Sequence, residues 1–204
     1  MSNNEIEKVR KHIREYFDET KIVTNEYSIF ESPHKDFKVN KTVYRQNIAK
    51  YNWNVSKIEI VNMQNETIFS TLIDDDHFFH NWISIDKDYY LFFSENLCGG
   101  YSFYNCSKKQ FFSYSDGTDG FICTSFFISP DSKKLAVPGC VWAGPYFVRI
   151  FDISSLDIFP WPILNDIQLD DNAEDTEISW ATNNSLLLYK IGKEKTLSRE
   201  VNIS

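Results

Sequence analysis

The sequence is poor in glycine, in paired cysteines and in long apolar runs. Seven glycines in 204 residues supply no glycine-rich phosphate loop. The four cysteines lie 8, 17 and 17 residues apart and contain no C-x-x-C pair, which excludes the usual spacing of zinc and redox sites. The longest uninterrupted apolar stretches are no longer than residues 89–93, so we expect no membrane-spanning helix. These absences predict reduced thiols, no cofactor and no membrane partner.

Positive charge is also scarce. The chain has 29 acidic and 21 basic side chains, for a formal net charge of −8. Direct binding of nucleic acid is therefore not expected, because phosphate contacts need clustered Lys and Arg. The first twenty residues are charged and contain no apolar signal segment, which predicts a cytoplasmic location. With 42% hydrophobic and 16% aromatic residues, the chain can bury a core and is not disordered.

The chain is predicted to be a single domain, residues 1–204, with a helix at its N-terminus. Residues 2–5 have the S-x-x-E form of a capping box. Apolar residues then recur near helical spacing at Ile6, Val9 and Ile13. This pattern predicts an amphipathic helix within residues 1–20. Residues 21–204 instead contain short segments rich in aromatic and β-branched residues, which predict many antiparallel strands.

An internal repeat organises these strands. Residues 80–86 precede Leu91, and the glycine Gly100 follows nine residues later. Residues 125–131 precede Leu135 in the same way, and Gly144 again follows after nine residues. The period of 44–45 residues is typical of a four-stranded propeller blade. A third copy begins at residue 179, after an inserted acidic stretch at residues 166–175.

The second copy resembles a blade of the WD40-like β-propeller families. It reads Ile128-Ser129-Pro130-Asp131-Ser132-Lys133-Lys134-Leu135-Ala136-Val137, followed by Val148-Arg149-Ile150-Phe151-Asp152. These segments are similar to the "SPDG-x-x-LA" hairpin and the "V-x-I-x-D" strand of such blades, with Ser132 in the place of the usual glycine. The resemblance covers about residues 80–160. It implies a fold and no activity.

The expected fold is all-β, with antiparallel four-stranded blades that form an incomplete (half) or very small β-propeller. At about 45 residues a blade, the chain has room for three full blades and a fragment. We expect the open form, with the N-terminal helix covering an exposed sheet edge. The repeat also predicts that Trp82, Phe127 and Trp180 occupy equivalent inward positions.

Aromatic residues of two connecting loops are the first candidates for a binding site. Residues 139–146 place Trp142 and Tyr146 between two strands of one blade, and Tyr101 follows the matching loop of the preceding blade. Exposed Trp and Tyr are favoured anchors at protein interfaces. The alternative is that these side chains pack between blades.

Two acidic clusters are the second candidates. They contain Asp74, Asp75, Asp76, Asp170, Asp171, Glu174 and Asp175. Such runs are often merely solvated, but they can also speed the approach of a basic partner. A metal site at Asp74–Asp76 would need His77 and His80, which an extended strand directs to opposite faces. An acidic turn without a metal is therefore expected.

No catalytic motif accompanies these candidates. The sequence has no G-x-S-x-G motif and no cysteine near a histidine, so we do not expect an enzyme. In size, charge and composition the chain is similar, by class only, to immunity proteins of bacterial contact-dependent toxin systems. It is therefore predicted to bind a protein, most readily a basic nuclease toxin whose active site it covers. The alternatives are a propeller-like scaffold for a peptide or a complex, and an enzyme acting on a small molecule or a glycan.

Overall fold

The computed structural model consists of an N-terminal helix followed by antiparallel sheets. It describes residues 3–18, 20, 22–48, 51–95, 99–115, 120–142, 144–156, 158–169, 176–191, 194 and 196–203. The helix, α1, spans Asn3–Tyr16 and lies within the segment predicted to be helical.

Sixteen strands in the described residues form four sheets, and each sheet takes consecutive strands of the chain. The first sheet contains β1 (Ile22–Glu31), β2 (Phe37–Ile48), β3 (Tyr51–Asn62) and β4 (Thr67–Ile73). The second contains β5 (His80–Ile85), β6 (Asp88–Ser94), β7 (Tyr101–Asn105) and β8 (Gln110–Tyr114). The third contains β9 (Phe121–Cys123), β10 (Phe127–Ile128), β11 (Lys134–Val141), β12 (Tyr146–Asp152) and β13 (Ile163–Gln168). The fourth contains β14 (Thr176–Thr182), β15 (Ser185–Lys190) and β16 (Thr196–Asn202).

The first strand of the third sheet is broken, for a local reason. Both β9 and β10 pair with β11, so together they fill the position of a single strand. The break falls opposite Pro138, which has no backbone N–H to donate to a neighbour. Thr124, in the break, donates its backbone N–H and its hydroxyl to the Pro138 carbonyl at 2.9 and 3.1 Å. The third sheet thus keeps the four-strand plan, which confirms three full blades and a three-stranded fragment.

The sheets pack face to face in chain order. On β6, Leu91 and Phe93 pack against the first sheet, whereas Phe92 packs against the third. On β11, Leu135 likewise packs against the second sheet and Ala136 against the fourth. These strands read as continuous apolar runs because both of their faces are buried. No core cluster of the described residues joins the first sheet to the fourth. The sheets form the predicted propeller-like array of antiparallel blades.

The predicted equivalence of Trp82, Phe127 and Trp180 is wrong at one position. Trp82 pairs with Leu91 and faces the first sheet, and Trp180 faces the third, so each packs on the sheet that precedes its own. Phe127 faces the following sheet instead. Phe126, which is fully buried between the second and third sheets, takes the expected place. A shift of one residue along an extended chain moves a side chain to the opposite face.

Helix α1 lies across the edges of two sheets. It contacts β4 and β8, the edge strands of the first and second sheets. Its buried face contains Ile6, Arg10 and Ile13, at helical spacing. Tyr16, at the C-terminal end of the helix, is 57% exposed. The face of the helix that packs on the sheets therefore includes a charged side chain, Arg10, between the two isoleucines.

Candidate functional site

The strand order brings the predicted binding segments to one end of the array. Successive connections of an antiparallel sheet alternate between its two ends. The connections β4–β5, β6–β7, β11–β12 and β13–β14 therefore share one end, which we call the loop end. A contact between neighbouring sheets at this end agrees with the assignment, since the Gly100 N–H donates to the Phe121 carbonyl at 3.4 Å. The aspartates 74–76 and Trp142 lie at this end. So do Leu169 and Thr176, which flank the acidic segment 170–175.

Trp142 is the most accessible of the predicted anchors. It follows β11 in the β11–β12 connection, and 61% of its surface is exposed. Its backbone has φ of 37°, a left-handed conformation that is rare for a bulky side chain. The turn is closed by the Gly144 N–H, which donates to the Val141 carbonyl at 3.1 Å. A short connection thus holds a large aromatic side chain in solvent.

The other two predicted aromatic anchors differ from Trp142 in burial. Tyr146 is half-buried and packs on the cluster between the third and fourth sheets. Tyr101 is only 6% exposed and lies in the cluster between the second and third sheets. Its ring is stacked on Trp161, with 5.6 Å between ring centroids. The placement of Tyr101 on a binding surface is therefore corrected: its ring belongs to the core, because the sheets close over both faces of β7.

The first acidic cluster is largely engaged with its own sheet. The Asp74 carboxylate accepts a hydrogen bond from the Trp53 indole, and Asn54 donates to the Asp76 carboxylate at 2.8 Å. The Lys41 ammonium donates to the Asp76 backbone carbonyl. Burial raises the pKa of the Asp75 carboxyl above its usual value. Asp74–Asp76 therefore brace the end of β4 and offer a partner only part of their surface.

A metal ligand set is the chemical alternative for this cluster. Single ligand atoms of Asp75, Asp76 and His77 all lie within 4.8 Å of one another. The His77 Nδ1 lies 3.2 Å from Asp75 Oδ1 and 3.0 Å from Asp76 Oδ1. His80 lies apart from them, stacked on Phe78 at 4.4 Å between ring centroids. The three clustered residues have ligand types that suit a divalent cation, but His77 Nδ1 already lies within hydrogen-bonding distance of both carboxylates.

The second acidic stretch begins inside a strand. The structure extends β13 to Gln168, so Asp166 is a strand residue, and the acidic stretch predicted at residues 166–175 overlaps the end of this strand. The Asp166 carboxylate accepts hydrogen bonds from Arg149 Nε at 3.0 Å and Nη2 at 3.2 Å. The sequence missed this pair because its members are 17 residues apart, on neighbouring strands.

The remaining acidic candidates, Asp170, Asp171, Glu174 and Asp175, lie outside the described residues. The segment that carries them is anchored on both sides. Leu169 donates its backbone N–H to the Tyr146 carbonyl at 2.9 Å, and Thr176 opens β14. Leu169, which precedes this segment, is thus hydrogen-bonded to Tyr146, the residue at which the Trp142 connection ends and β12 begins.

The opposite end of the array has a cavity of about 430 Å³ between the turns of the second and third sheets. Two of its three carboxylates, those of Asp88 and Asp131, are hydrogen-bonded within those turns. Asn105 donates a hydrogen bond to Asp88, and Ser129 donates one to Asp131 at 2.7 Å, and these bonds lower the pKa of both aspartates. The cavity is therefore a product of turn geometry, and none of the predicted site residues lines it.

Two further observations concern the cysteines and the possibility of a membrane-spanning helix. Two of the described cysteines, Cys106 and Cys140, are free thiols, and burial raises the pKa of Cys106 to about 12. No helix in the part of the chain that the structure describes is long and apolar enough to cross a membrane.

Comparison with known proteins adds one distant likeness. No protein-family model and no curated protein sequence matches the chain. Among solved structures, the chain is similar to the crystal structure of the Cps50 (Swd1) beta-propeller domain from Myceliophteria thermophila. The identity is 11%, the match covers 89% of each chain, and the TM-score is 0.37. At this distance no function is transferred, and the fold assignment rests on the order and packing of the four sheets.

Proposed function

We propose that this protein is a non-catalytic binding protein, and that it acts in the cytoplasm as an immunity protein or inhibitor of a basic nuclease toxin. The observation that carries the proposal is the position of Trp142. This exposed side chain shares one end of the array with both residues that flank the acidic stretch 170–175. An exposed aromatic anchor on an acidic protein suits a partner whose surface is basic.

The two features have separate physical roles in this proposal. Trp142 exposes enough surface to fill a pocket on a partner, and buried Trp residues are the commonest energetic anchors of interfaces. The acidic stretch acts at longer range. Together with the net charge of −8, it attracts a basic surface and raises the rate of encounter. A nuclease groove, which is basic because it binds phosphates, fits both requirements.

The test is affinity capture of partners from the source cells, followed by binding kinetics with the captured protein. Trp142→Ala should mainly speed dissociation, by about thirtyfold if the residue contributes about 2 kcal/mol. Tyr146→Ala should have a smaller effect, because this side chain is already half-buried. The matched control is Met63→Ala, since Met63 is 68% exposed in the β3–β4 connection at the opposite end.

Charge changes test the steering role separately. Neutralising Asp170 and Asp171 to Asn should slow association and flatten its dependence on salt, with little effect on dissociation. The control pair is Glu66→Gln with Asp86→Asn, two exposed acids at the opposite end. A captured nuclease should also lose activity when this protein is added.

Two results would overturn the proposal. One is that no basic protein is captured. The other is that Trp142→Ala and Met63→Ala bind alike. Capture of an acidic or neutral peptide ligand would instead support the scaffold alternative.

A further inference from the structure

A basic cavity lies between the C-terminal half of α1 and strands β3 and β4 of the first sheet. Its volume is about 350 Å³. The lining contains three cationic side chains, two hydroxyl side chains, two apolar side chains and no carboxylate, and consists of Arg10, Arg14, Phe17, Lys57, Ser70, Thr71 and Leu72. In a protein with a net charge of −8, such a concentration of positive charge is unexpected for a surface that only needs solubility.

Arg10 supplies a second and independent observation. Its residue surface is 8% exposed, and its Nη1 and Nη2 atoms donate to Glu7 and Glu95 at 2.6 and 2.7 Å. Its Nε atom is buried and has no hydrogen-bond partner among the described residues. Buried donors are normally satisfied, and an unsatisfied one costs free energy. Nε has almost no accessible surface, so an acceptor in the cavity reaches this donor only if the Arg10 side chain shifts.

The other two cations are accessible from solvent. The Arg14 side chain is 61% exposed, and its Nη2 lies 3.7 Å from Glu7 Oε2, a long ion pair. The Lys57 side chain is 35% exposed, and its Nζ lies 3.1 Å from Glu59 Oε1. Both carboxylates belong to residues outside the lining. An anion of higher charge can therefore compete with them for Arg14 and Lys57.

We propose that this cavity binds a phosphate group carried by a small organic molecule. The Arg14 guanidinium, the Lys57 ammonium and the Ser70 hydroxyl, with Arg10 behind them, offer more donors than the two oxygens of a carboxylate can accept. A phosphate monoester has three free oxygens, and Arg binds them in a fixed fork. Phe17 and Leu72 are half-buried and provide apolar surface for the organic part of the ligand. The inference is independent of the proposed function, because the cavity residues are not those that carry the toxin-binding proposal.

Titration calorimetry on the full chain at constant ionic strength tests this proposal. The probes are phenyl phosphate, inorganic phosphate and acetate. Saturable binding is expected for both phosphates. Phenyl phosphate should bind about tenfold more tightly than inorganic phosphate, because its ring buries apolar surface. Acetate should bind much more weakly than either.

Matched variants locate the binding. Arg14→Gln and Lys57→Gln should each weaken phenyl phosphate binding by about tenfold, the typical effect of losing one charge-assisted hydrogen bond. Lys11→Gln removes the same charge from the same helix, outside the lining, and should bind normally. Circular dichroism checks that all three variants are folded. The proposal fails if neither phosphate shows saturable binding, if acetate binds as tightly as phosphate, or if Lys11→Gln weakens binding as much as Arg14→Gln.

Discussion

Replacing Arg10 by Met should destabilise the protein strongly, because it leaves a buried carboxylate without its counter-charge. Arg10 Nη2 lies 2.7 Å from Glu95 Oε1, and the two side chains are 9% and 2% exposed. The Ser102 hydroxyl donates to the same carboxylate oxygen. Methionine fills a similar volume and removes the charge, so the change tests electrostatics more than packing.

The expected loss follows from the burial of both partners. Breaking a buried ion pair by removing one member costs about 3–5 kcal/mol. A domain of ordinary stability has about 5–15 kcal/mol in total. With a urea dependence of about 2 kcal/mol per molar, the unfolding midpoint should fall by about 2 M. Arg14→Met, the same change at an exposed position of α1, should alter stability by less than about 0.5 kcal/mol.

The pH dependence provides a second readout. Burial raises the pKa of Glu95, and Arg10 opposes that rise. Without Arg10 the pKa of Glu95 in the folded state rises further above its unfolded value. A carboxyl group whose folded pKa is raised contributes stability below its unfolded pKa, and this contribution is lost as the pH rises through the folded pKa. The deficit of Arg10→Met relative to wild type should therefore shrink as the pH is lowered.

The double variant Arg10→Met with Glu95→Gln separates the effect of the unpaired charge from the effect of lost packing. It has no buried charge at this position, so it should be more stable at neutral pH than Arg10→Met alone, and its deficit should not depend on pH in the same way. Equal midpoints for Arg10→Met and wild type would refute the reasoning. So would a double variant as unstable as the single one, because packing would then explain the whole loss.

Three further outcomes are expected. Trp161→Ala should lower the unfolding free energy by about 3–5 kcal/mol in a urea titration, because Trp161 is 3% exposed and lies 4.9 Å from Phe103 between ring centroids; an unchanged midpoint would contradict its burial. Gly139→Ala should cost about 1–3 kcal/mol in the same assay, because its new Cβ would lie 2.2 Å from the Ile122 carbonyl oxygen; wild-type stability would show that β9 moves freely. Cys106 should resist an alkylating reagent in the native protein and react after unfolding, because it is buried and its pKa is raised to about 12; rapid labelling of the native protein, located by peptide mass spectrometry, would contradict this.

The sequence by itself determined the features that depend on local pattern. The helical period located α1, and the turn residues and aromatic-rich segments located most of the strands. The repeat of 44–45 residues predicted the number of blades, because each blade repeats one order of strands and turns. The strand β13 was missed, because its sequence at residues 163–168, ILNDIQ, has two adjacent apolar residues and then two adjacent polar ones, and so shows no apolar alternation.

Only the tertiary structure decided which side chains meet. Glu95 and Arg10 are 85 residues apart, and each alone has the character of a solvent-exposed residue; they become core residues because α1 crosses the edge of the second sheet. Tyr101 became a core residue for a similar reason, since the third sheet covers it. Trp142 stayed exposed because its connection lies beyond the end of both packed sheets. Burial depends on the neighbouring sheet, and the local pattern of a strand contains no information about the sheet that will cover it.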